Sequence, residues 1–312
     1  MIRVAICGAS GYAGIELIRI LARHPEVELV ALTSSRWEGR SARDAVGVGG
    51  AVGRLRFRSS VEATPDAVFL ATPAEFSLEE APRWVERGAL AIDLSDAFRH
   101  DDRAVYGLTE IARERLRGAR FIANPGCYPT ASQLPLIPLV EAGLLGEGPL
   151  ILDAKSGSSG AGRRLDDSLL FSELMDNHYP YRVGTHRHVP EIERGLGRAV
   201  VFTPHLLPTR RGLLVSAYAP LATGASAAAC HALLAERYRD EPFVQLFESG
   251  EREIGIASVV GTPLCRISVS PIEKLGIVQI FSVIDNLLKG AASQAVQNFN
   301  AALGIEETTG LS

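Results

Sequence analysis

Cysteine is scarce in this sequence: Cys7, Cys127, Cys230 and Cys265 are the four among 312 residues, and they lie far apart. No two of them form a CxxC pair. This spacing argues against a disulfide framework and against a structural zinc site. Any cysteine chemistry would therefore involve a single thiol, without a metal ion.

An excess of one charge is also lacking, because 32 Lys and Arg residues stand against 36 Asp and Glu residues. Without a basic face or tail, we expect no nucleic acid and no membrane as partner, and a small molecule instead. No stretch reaches the roughly 18 apolar residues of a membrane span, and the first residues lack a signal-peptide pattern. We expect a cytoplasmic protein.

The hydrophobic content of 46% can build one large or two modest domains. In the first part, strand-like runs such as RVAIC and VELVALT alternate with helical patterns, which predicts α/β architecture with a doubly wound parallel sheet. After about residue 150, longer strand-like runs such as LILDAKS and IVQIFSVI predict an α+β domain with a mainly antiparallel sheet. The last segment returns to helical spacing, with Leu287, Ala291, Ala295 and Phe299 on one face.

A glycine-rich loop follows the first predicted strand. In GASGYAG, Gly8, Gly11 and Gly14 have a spacing that lets the backbone approach a pyrophosphate at a helix N-terminus. The order of strand, loop and helix favours a dinucleotide site, and the alternative is an ordinary tight turn.

The end of the second predicted strand indicates which dinucleotide binds there. An NAD site usually places an acid here, whereas this chain has Thr33, Ser34, Ser35 and Arg36. Hydroxyls and a guanidinium suit the 2′-phosphate of NADP. A solvated polar loop is the alternative, and Glu38 is a nearby acid that local pattern does not exclude.

Cys127 follows a predicted strand and Asn124-Pro125-Gly126, and it comes directly before a predicted helix. A thiol at a helix N-terminus ionises more readily, because the helix dipole favours the thiolate. Position alone leaves two interpretations open, a reactive thiol and a buried filler.

Eight motifs occur in order along the chain: GASGYAG, ATPAEFS, YGLTE, NPGCYPT, DAKSGSSGAGR, HRHVPEIE, FTPHLLPTRRG and DNLLKGAASQAVQNFN. Together they closely resemble the N-acetyl-γ-glutamyl-phosphate reductases of arginine biosynthesis. The resemblance implies NADPH-dependent reduction of a small acyl phosphate through a cysteine thioester. It also implies a Rossmann-type NADP-binding domain from 1–127 plus 285–312, a catalytic and dimerisation domain from 128–284, and a homodimer or homotetramer.

The resemblance also implies roles for individual residues. Cys127 would be the nucleophile and His188 its acid/base partner, with His186 as the fallback. Cofactor contacts would come from the glycines of the first loop and from Ser10, Tyr12, Ser34, Ser35, Arg36, Thr72, Ser156, Gly157, Gly160 and Asn286. Substrate contacts would come from Asn124, Ser158, His186, Arg187 and Glu191. Arg210 and Arg211 are weaker substrate candidates, and His205 is at least as well interpreted as structural.

Two departures and three rival functions accompany this resemblance. The family usually has GTN where this chain has Gly261-Thr262-Pro263, and DLSADFR where it has DLSDAFR. A related lysine-pathway enzyme reduces a carrier-bound aminoadipyl phosphate, and aspartate-semialdehyde dehydrogenase shares the chemical logic. A non-catalytic NADP-binding sensor with the same fold is the rival from another class.

Overall fold

The computed structural model describes residues 1–163, 165–247 and 254–311. The chain divides into two compact units, one formed by Met1–Gly126 with Ala291–Ser312 and the other by Cys127–Gly290. The C-terminal segment joins the first unit from Ala291, six residues later than the position 285 that the sequence suggests.

The described part of the first unit contains a sheet of seven parallel strands in the order β3-β2-β1-β4-β5-β7-β6. Reversal of the strand order beside β1 is the mark of a doubly wound dinucleotide fold, so the predicted architecture is confirmed. The strands are β1 (Ile2–Cys7), β2 (Val27–Thr33), β3 (Phe57–Arg58), β4 (Ala67–Leu70), β5 (Leu90–Asp93), β6 (Val105–Tyr106) and β7 (Phe121–Ala123). The connecting helices are α1 (Tyr12–Leu21), α2 (Ala42–Val46), α3 (Gly50–Arg54), α4 (Ala74–Glu86) and α5 (Thr109–Leu116).

The second unit contains a mixed sheet in the order β12-β13-β14-β11-β8-β10-β9. Two neighbouring pairs, β8 with β10 and β12 with β13, are parallel and the other four are antiparallel, as predicted for a mainly antiparallel sheet. The strands are β8 (Leu150–Gly157), β9 (Tyr179–Pro180), β10 (Val200–Leu207), β11 (Leu213–Pro220), β12 (Val244–Phe247), β13 (Cys265–Ile272) and β14 (Ile277–Ile284). The α-helices are α6 (Cys127–Glu141), α7 (Phe171–Leu174), α8 (Val189–Leu196) and α9 (Ala227–Arg237).

Helix α6 is the centre of the second unit, because it is buried along most of its length and contacts α8, α9, β11 and β14. Its interior Pro138 has no N–H to donate to the carbonyl of Leu134. The hydroxyl of Tyr238 donates to that carbonyl instead. The helix therefore continues through a proline without leaving a buried acceptor unpaired.

The C-terminal helix α10 (Ser293–Leu303) follows a π-helical turn at Leu288–Ala292 and packs within the first unit against α1 and α5. Phe299 contacts Phe69 of β4 with a centroid distance of 5.7 Å. Polar residues of α10 are buried as well as the predicted apolar face, and Asn298 donates to the carbonyl of Gly107 at 2.7 Å. Within the described residues, no helix combines the length and apolar character that a bilayer span requires.

Candidate active site

Cys127 is the first residue of α6, and it differs from the other cysteines in its exposure. Cys7, Cys230 and Cys265 are buried, whereas Cys127 is half-buried. Burial raises the pKa of Cys7 and of Cys230 to about 11 each, which keeps both thiols protonated near neutral pH. Of the four thiols, Cys127 is the one that solvent and a ligand can reach.

A cavity of about 270 Å³ in the second unit contains Cys127 in its wall. The other residues of the wall are mostly polar, aromatic or cationic, which suits an anionic substrate. They are Tyr128, Ser156, Gly160, Ala161, Ser168, Leu169, Tyr179, Tyr181, Arg182, His186, Arg187, His188 and Leu206. The structure thus brings Cys127 together with both candidate histidines and with Arg187.

The two histidines lie in a turn that leads into α8. Pro190 and the apolar spacing of the following residues start a helix directly after His188. Both rings are buried, and their centroids are 4.8 Å apart. The Nδ1 atom of His186 accepts a hydrogen bond of 3.1 Å from the backbone N–H of His188.

His186 is held neutral by its surroundings. Burial lowers its pKa to about 4, with smaller contributions from the positive charges of Arg187 and Arg182. Its ring packs edge-on against Tyr128, Tyr181 and Phe202. A neutral imidazole whose Nδ1 accepts a backbone hydrogen bond is suited to fixing the turn rather than to donating a proton.

Tyr128 and Tyr181 form a pair at the cavity that the sequence analysis missed. The Tyr181 hydroxyl donates to the Tyr128 hydroxyl at 3.5 Å, and Tyr128 donates to the carbonyl of His205 at 3.4 Å. Burial raises the pKa of Tyr181 to about 12 and that of Tyr128 well above its usual value, with the Cys127 charge contributing to both. The phenols therefore stay neutral beside the thiol.

The loop at 156–162 contributes Ser156 and Gly160 to the cavity wall. Asn286 supports this loop from behind, because its amide group donates to Ser159 Oγ at 2.9 Å and accepts from the N–H of Gly212 at 2.9 Å. Gly157 lies so close to the backbone of Arg210 that an added Cβ would come within 2.8 Å of it.

Three predicted substrate contacts are engaged elsewhere in the described residues and do not line this cavity. Ser158 donates to the carbonyl of Thr209 at 3.1 Å, and Glu191 is buried in the first turn of α8. Asn124 belongs to the first unit, where its Oδ1 accepts from Asn298 at 2.9 Å.

The weaker candidates Arg211 and His205 also have structural partners. The Arg211 guanidinium lies 3.1 Å from the fully buried carboxylate of Asp285. His205 Nδ1 lies 3.3 Å from the carbonyl of Ala154. Both side chains stabilise the sheet and its loops, which supports the structural interpretation of His205.

The predicted dinucleotide loop has the geometry that a phosphate requires. Gly8 has a φ of 75°, and a Cβ at Gly14 would lie 2.5 Å from the carbonyl oxygen of Gly8, so both positions need glycine. Gly11 caps α1 without a side-chain hydrogen bond to the first turn. The first N–H groups of α1, which begins at Tyr12, are therefore available to an anion.

The candidate 2′-phosphate residues differ in exposure. Ser34 is buried, and its hydroxyl donates to Ser10 Oγ at 2.7 Å and accepts from the N–H of Trp37 at 3.2 Å. Ser35 and Arg36 are exposed. Thr72 shares a hydrogen bond of 2.9 Å with Ser77 at the start of α4.

Family models match both units. Residues 3–119 match the NAD binding domain of semialdehyde dehydrogenases, and residues 127–286 match their dimerisation domain. Aspartate semialdehyde dehydrogenase II from Vibrio cholerae, solved in complex with ASA, has a similar fold: its TM-score is 0.78 at 19% identity, over 96% of this chain and 98% of that one. Fold and domains define an oxidoreductase of the semialdehyde dehydrogenase class with a nicotinamide dinucleotide cofactor.

The named relatives identify the family of the chain within this class. N-acetyl-gamma-glutamyl-phosphate reductase from Thiobacillus denitrificans is 45% identical, over 100% of this chain and 98% of that protein. The protein of the same name from Desulforudis audaxviator is 42% identical over the same shares. The chain belongs to the family of N-acetyl-gamma-glutamyl-phosphate reductases.

Proposed function

We propose that the protein reduces N-acetyl-γ-glutamyl phosphate to N-acetylglutamate 5-semialdehyde and phosphate with NADPH, as a step of arginine biosynthesis. The observation that carries this proposal is the cavity in which the half-buried Cys127 meets two histidines and two arginines. The names of the relatives, at 42% to 45% identity over the full chain, supply the substrate.

Cys127 acts as the nucleophile. Its thiolate is favoured by the dipole of the 15-residue helix α6, at whose N-terminus it lies. The sulfur attacks the acyl carbon, the bond to the phosphate oxygen breaks, and phosphate leaves a thioester on the enzyme. The neighbouring side chains are neutral and do not compete for the acyl group; they are His186, Tyr128 and Tyr181.

His188 transfers the proton in the second half-reaction. When bound, the nicotinamide supplies the hydride that converts the thioester into a thiohemiacetal oxyanion. His188 protonates this oxygen and then takes the hydroxyl proton back as the C–S bond breaks, so that collapse releases the aldehyde and the thiolate. The choice of His188 over His186 rests on the low pKa of His186 and on its hydrogen bond to the His188 backbone.

The cofactor is NADP. Gly8, Gly11 and Gly14 would hold the pyrophosphate at the N-terminus of α1. Because the Ser34 hydroxyl is engaged with Ser10, the exposed Ser35 and Arg36 would bind the 2′-phosphate. Tyr12 and Thr72 at this loop, and Ser156, Gly157, Gly160 and Asn286 in the second unit, remain the further candidates.

The protein acts as a homodimer through the second unit. Helices α6, α8 and α9 pack on one face of its sheet, while Ile151 and Val201 point away from the buried core. These two residues are register partners on β8 and β10, and Tyr218 of β11 pairs with Ile151 on the other side. A continuous apolar row on an open sheet face favours pairing with a second copy.

The test is an assay in the reverse direction, with N-acetylglutamate semialdehyde, phosphate and either NADP or NAD. We expect NADP reduction that depends on phosphate, little activity with aspartate semialdehyde, and a raised Michaelis constant for NADP in Arg36→Ala. The neighbouring Trp37 is buried and is unchanged in this variant, so the nucleotide loop keeps its packing. A preference for aspartate semialdehyde would refute the proposed substrate.

A further inference from the structure

Arg182 lies at the start of the turn that carries the two histidines, and its side chain lines the cavity of Cys127. The turn is closed by a hydrogen bond of 3.1 Å from the N–H of Thr185 to the carbonyl of Arg182. None of the sequence motifs assigns a role to this residue. Its position follows from β9, which pairs with β10 just before it and directs the chain toward the cavity.

The backbone of Arg182 adopts a conformation that its residue type disfavours. Its φ of 46° lies in the left-handed region, where Asp176 is the other non-glycine residue in the described part of the chain. Glycine would adopt this conformation without strain. A long cationic side chain at such a position is more readily explained by what its end group binds than by the needs of the turn.

The side chain of Arg182 is exposed, and within the described residues its guanidinium has no carboxylate partner, unlike those of Arg211 and Arg113. Arg211 pairs with Asp285, and Arg113 pairs with Glu307 at 2.6 Å. The charge of Arg182 nevertheless acts on the cavity, because it adds to the lowering of the His186 pKa by burial and by Arg187, and it offsets part of the rise that burial causes in the pKa of Tyr181. An arginine that faces a cavity and lacks an internal anion is suited to bind one from a ligand.

We propose that Arg182 binds the α-carboxylate of the acyl substrate and thereby determines specificity for N-acylated amino acid chains that carry this group. The inference rests on the proposed function, whose substrate has two anionic groups, a phosphate and an α-carboxylate. Arg187 and Arg182 are the two arginines of the cavity wall. One cation is thus present for each anion.

The assignment of each arginine to one anion follows from its neighbours. Arg187 lies between His186 and His188 in the chain, next to the proposed acid/base, so we assign it to the phosphate. Arg182 is five residues away, beside Tyr181. The α-carboxylate stays attached throughout the reaction, so Arg182 would hold the chain after phosphate has gone.

The experiment measures discrimination between N-acetylglutamate semialdehyde and 4-acetamidobutanal, which is the same aldehyde without its carboxylate. In the wild type we expect kcat/KM to be roughly 10- to 100-fold higher for the carboxylate-bearing aldehyde, as for a hydrogen-bonded charge pair. Arg182→Ala should lose most of this ratio while the KM for phosphate stays unchanged. Arg182→Lys should keep part of it, because it retains the charge without the two-donor fork.

Two further variants serve as controls, one for the backbone conformation of residue 182 and one for the loss of a positive charge elsewhere in the unit. Arg182→Gly relieves the left-handed strain and should lose discrimination as Arg182→Ala does. Arg239→Ala removes an exposed guanidinium of the same unit that pairs with Glu236 on the surface, and it should keep the wild-type ratio. Wild-type discrimination in Arg182→Gly, or its loss in Arg239→Ala, would overturn the proposal.

The result also distinguishes this proposal from the function on which it rests. Turnover of N-acetylglutamate semialdehyde with an unchanged ratio in Arg182→Ala would overturn the role of Arg182 alone. An increase in the KM for phosphate with an intact ratio would do the same, because it would place Arg182 at the phosphate. No turnover in the wild type would overturn the proposed function and this role together.

Discussion

At the scale of single residues, His186 and His188 show how two histidines close in sequence acquire different chemistry. They are both buried, and their rings lie 4.8 Å apart. His186 accepts from the backbone of His188 and is surrounded by aromatic rings and two arginines. Its neutral form is thereby favoured, and it fixes the turn from which His188 reaches the cavity.

This difference predicts a pH effect on stability. The pKa of His186 falls from an ordinary 6.5 to about 4 on folding, so the unfolded chain binds this proton first as the pH decreases. The contribution of this group to the free energy of unfolding is constant above pH 6.5 and declines below it, by about 3 kcal/mol at pH 4. His186→Asn keeps an acceptor for the His188 N–H and should flatten this decline in denaturant titrations.

The matched control is His178→Asn, which removes a solvent-exposed imidazole from the same unit. If wild type and His186→Asn lost stability in parallel between pH 6.5 and 4, His186 would not be the buried neutral group described here.

The sequence identified some site residues and missed others for physical reasons. Cys127 was recognisable because a local signal, a strand followed by a turn and a helix start, determines its environment. Tyr128, Tyr181 and Arg182 act through a cavity that exists only once β9, α6 and the histidine turn pack together. Ser158 and Asn124 were expected at the substrate, yet their side chains bond to Thr209 and Asn298.

At the scale of elements, the long periodic segments were predictable and the short ones were not. β1, β2 and β4 stand out as mainly apolar runs, whereas β3, β6 and β9 have two residues each and carry no periodicity. Such strands form because a neighbouring strand offers hydrogen bonds. Helix α8 has only eight residues and was also not predicted from the sequence.

The start of α6 depends on a close contact with the π-helical turn before α10. A Cβ added to Gly290 would lie 2.6 Å from the Cβ of Cys127. Gly290→Ala should therefore displace the nucleophile and lower kcat by at least 10-fold, as expected for small misplacements of reacting groups. The control is Gly255→Ala, where no atom lies within 4 Å of the added Cβ.

Two measurements report on this prediction together, kcat and the rate of Cys127 alkylation. Both should change in Gly290→Ala and neither in Gly255→Ala. Wild-type values for Gly290→Ala would show that the two elements adjust without moving the thiol.

At the scale of the whole molecule, the chain leaves the first unit at Gly126 and returns to it at Ala291. The catalytic segment is thus inserted between the nucleotide domain and its last helix. The second unit then has one sheet face covered by its own helices and, on β8 and β10, an exposed apolar row that we propose as the contact with a second copy.

We expect sedimentation of the wild type as a dimer and of Ile151→Asp as a monomer, because Ile151 is 44% exposed in the middle of the row. A buried unpaired carboxylate would be costly at a packed interface. Leu275→Asp, at a position that is 69% exposed outside the sheet, should leave the dimer intact. Dimeric Ile151→Asp protein would place the interface elsewhere.

The covalent step at Cys127 is the central claim, and phosphate release without any nicotinamide cofactor tests it most directly. Mixed with N-acetyl-γ-glutamyl phosphate alone, the wild type should release a rapid burst of one phosphate per active site. The peptide that contains Cys127 should then carry the acyl group by mass spectrometry, and Cys127→Ala should give neither signal. Normal turnover with NADPH but no burst and no acylated Cys127 would contradict the account.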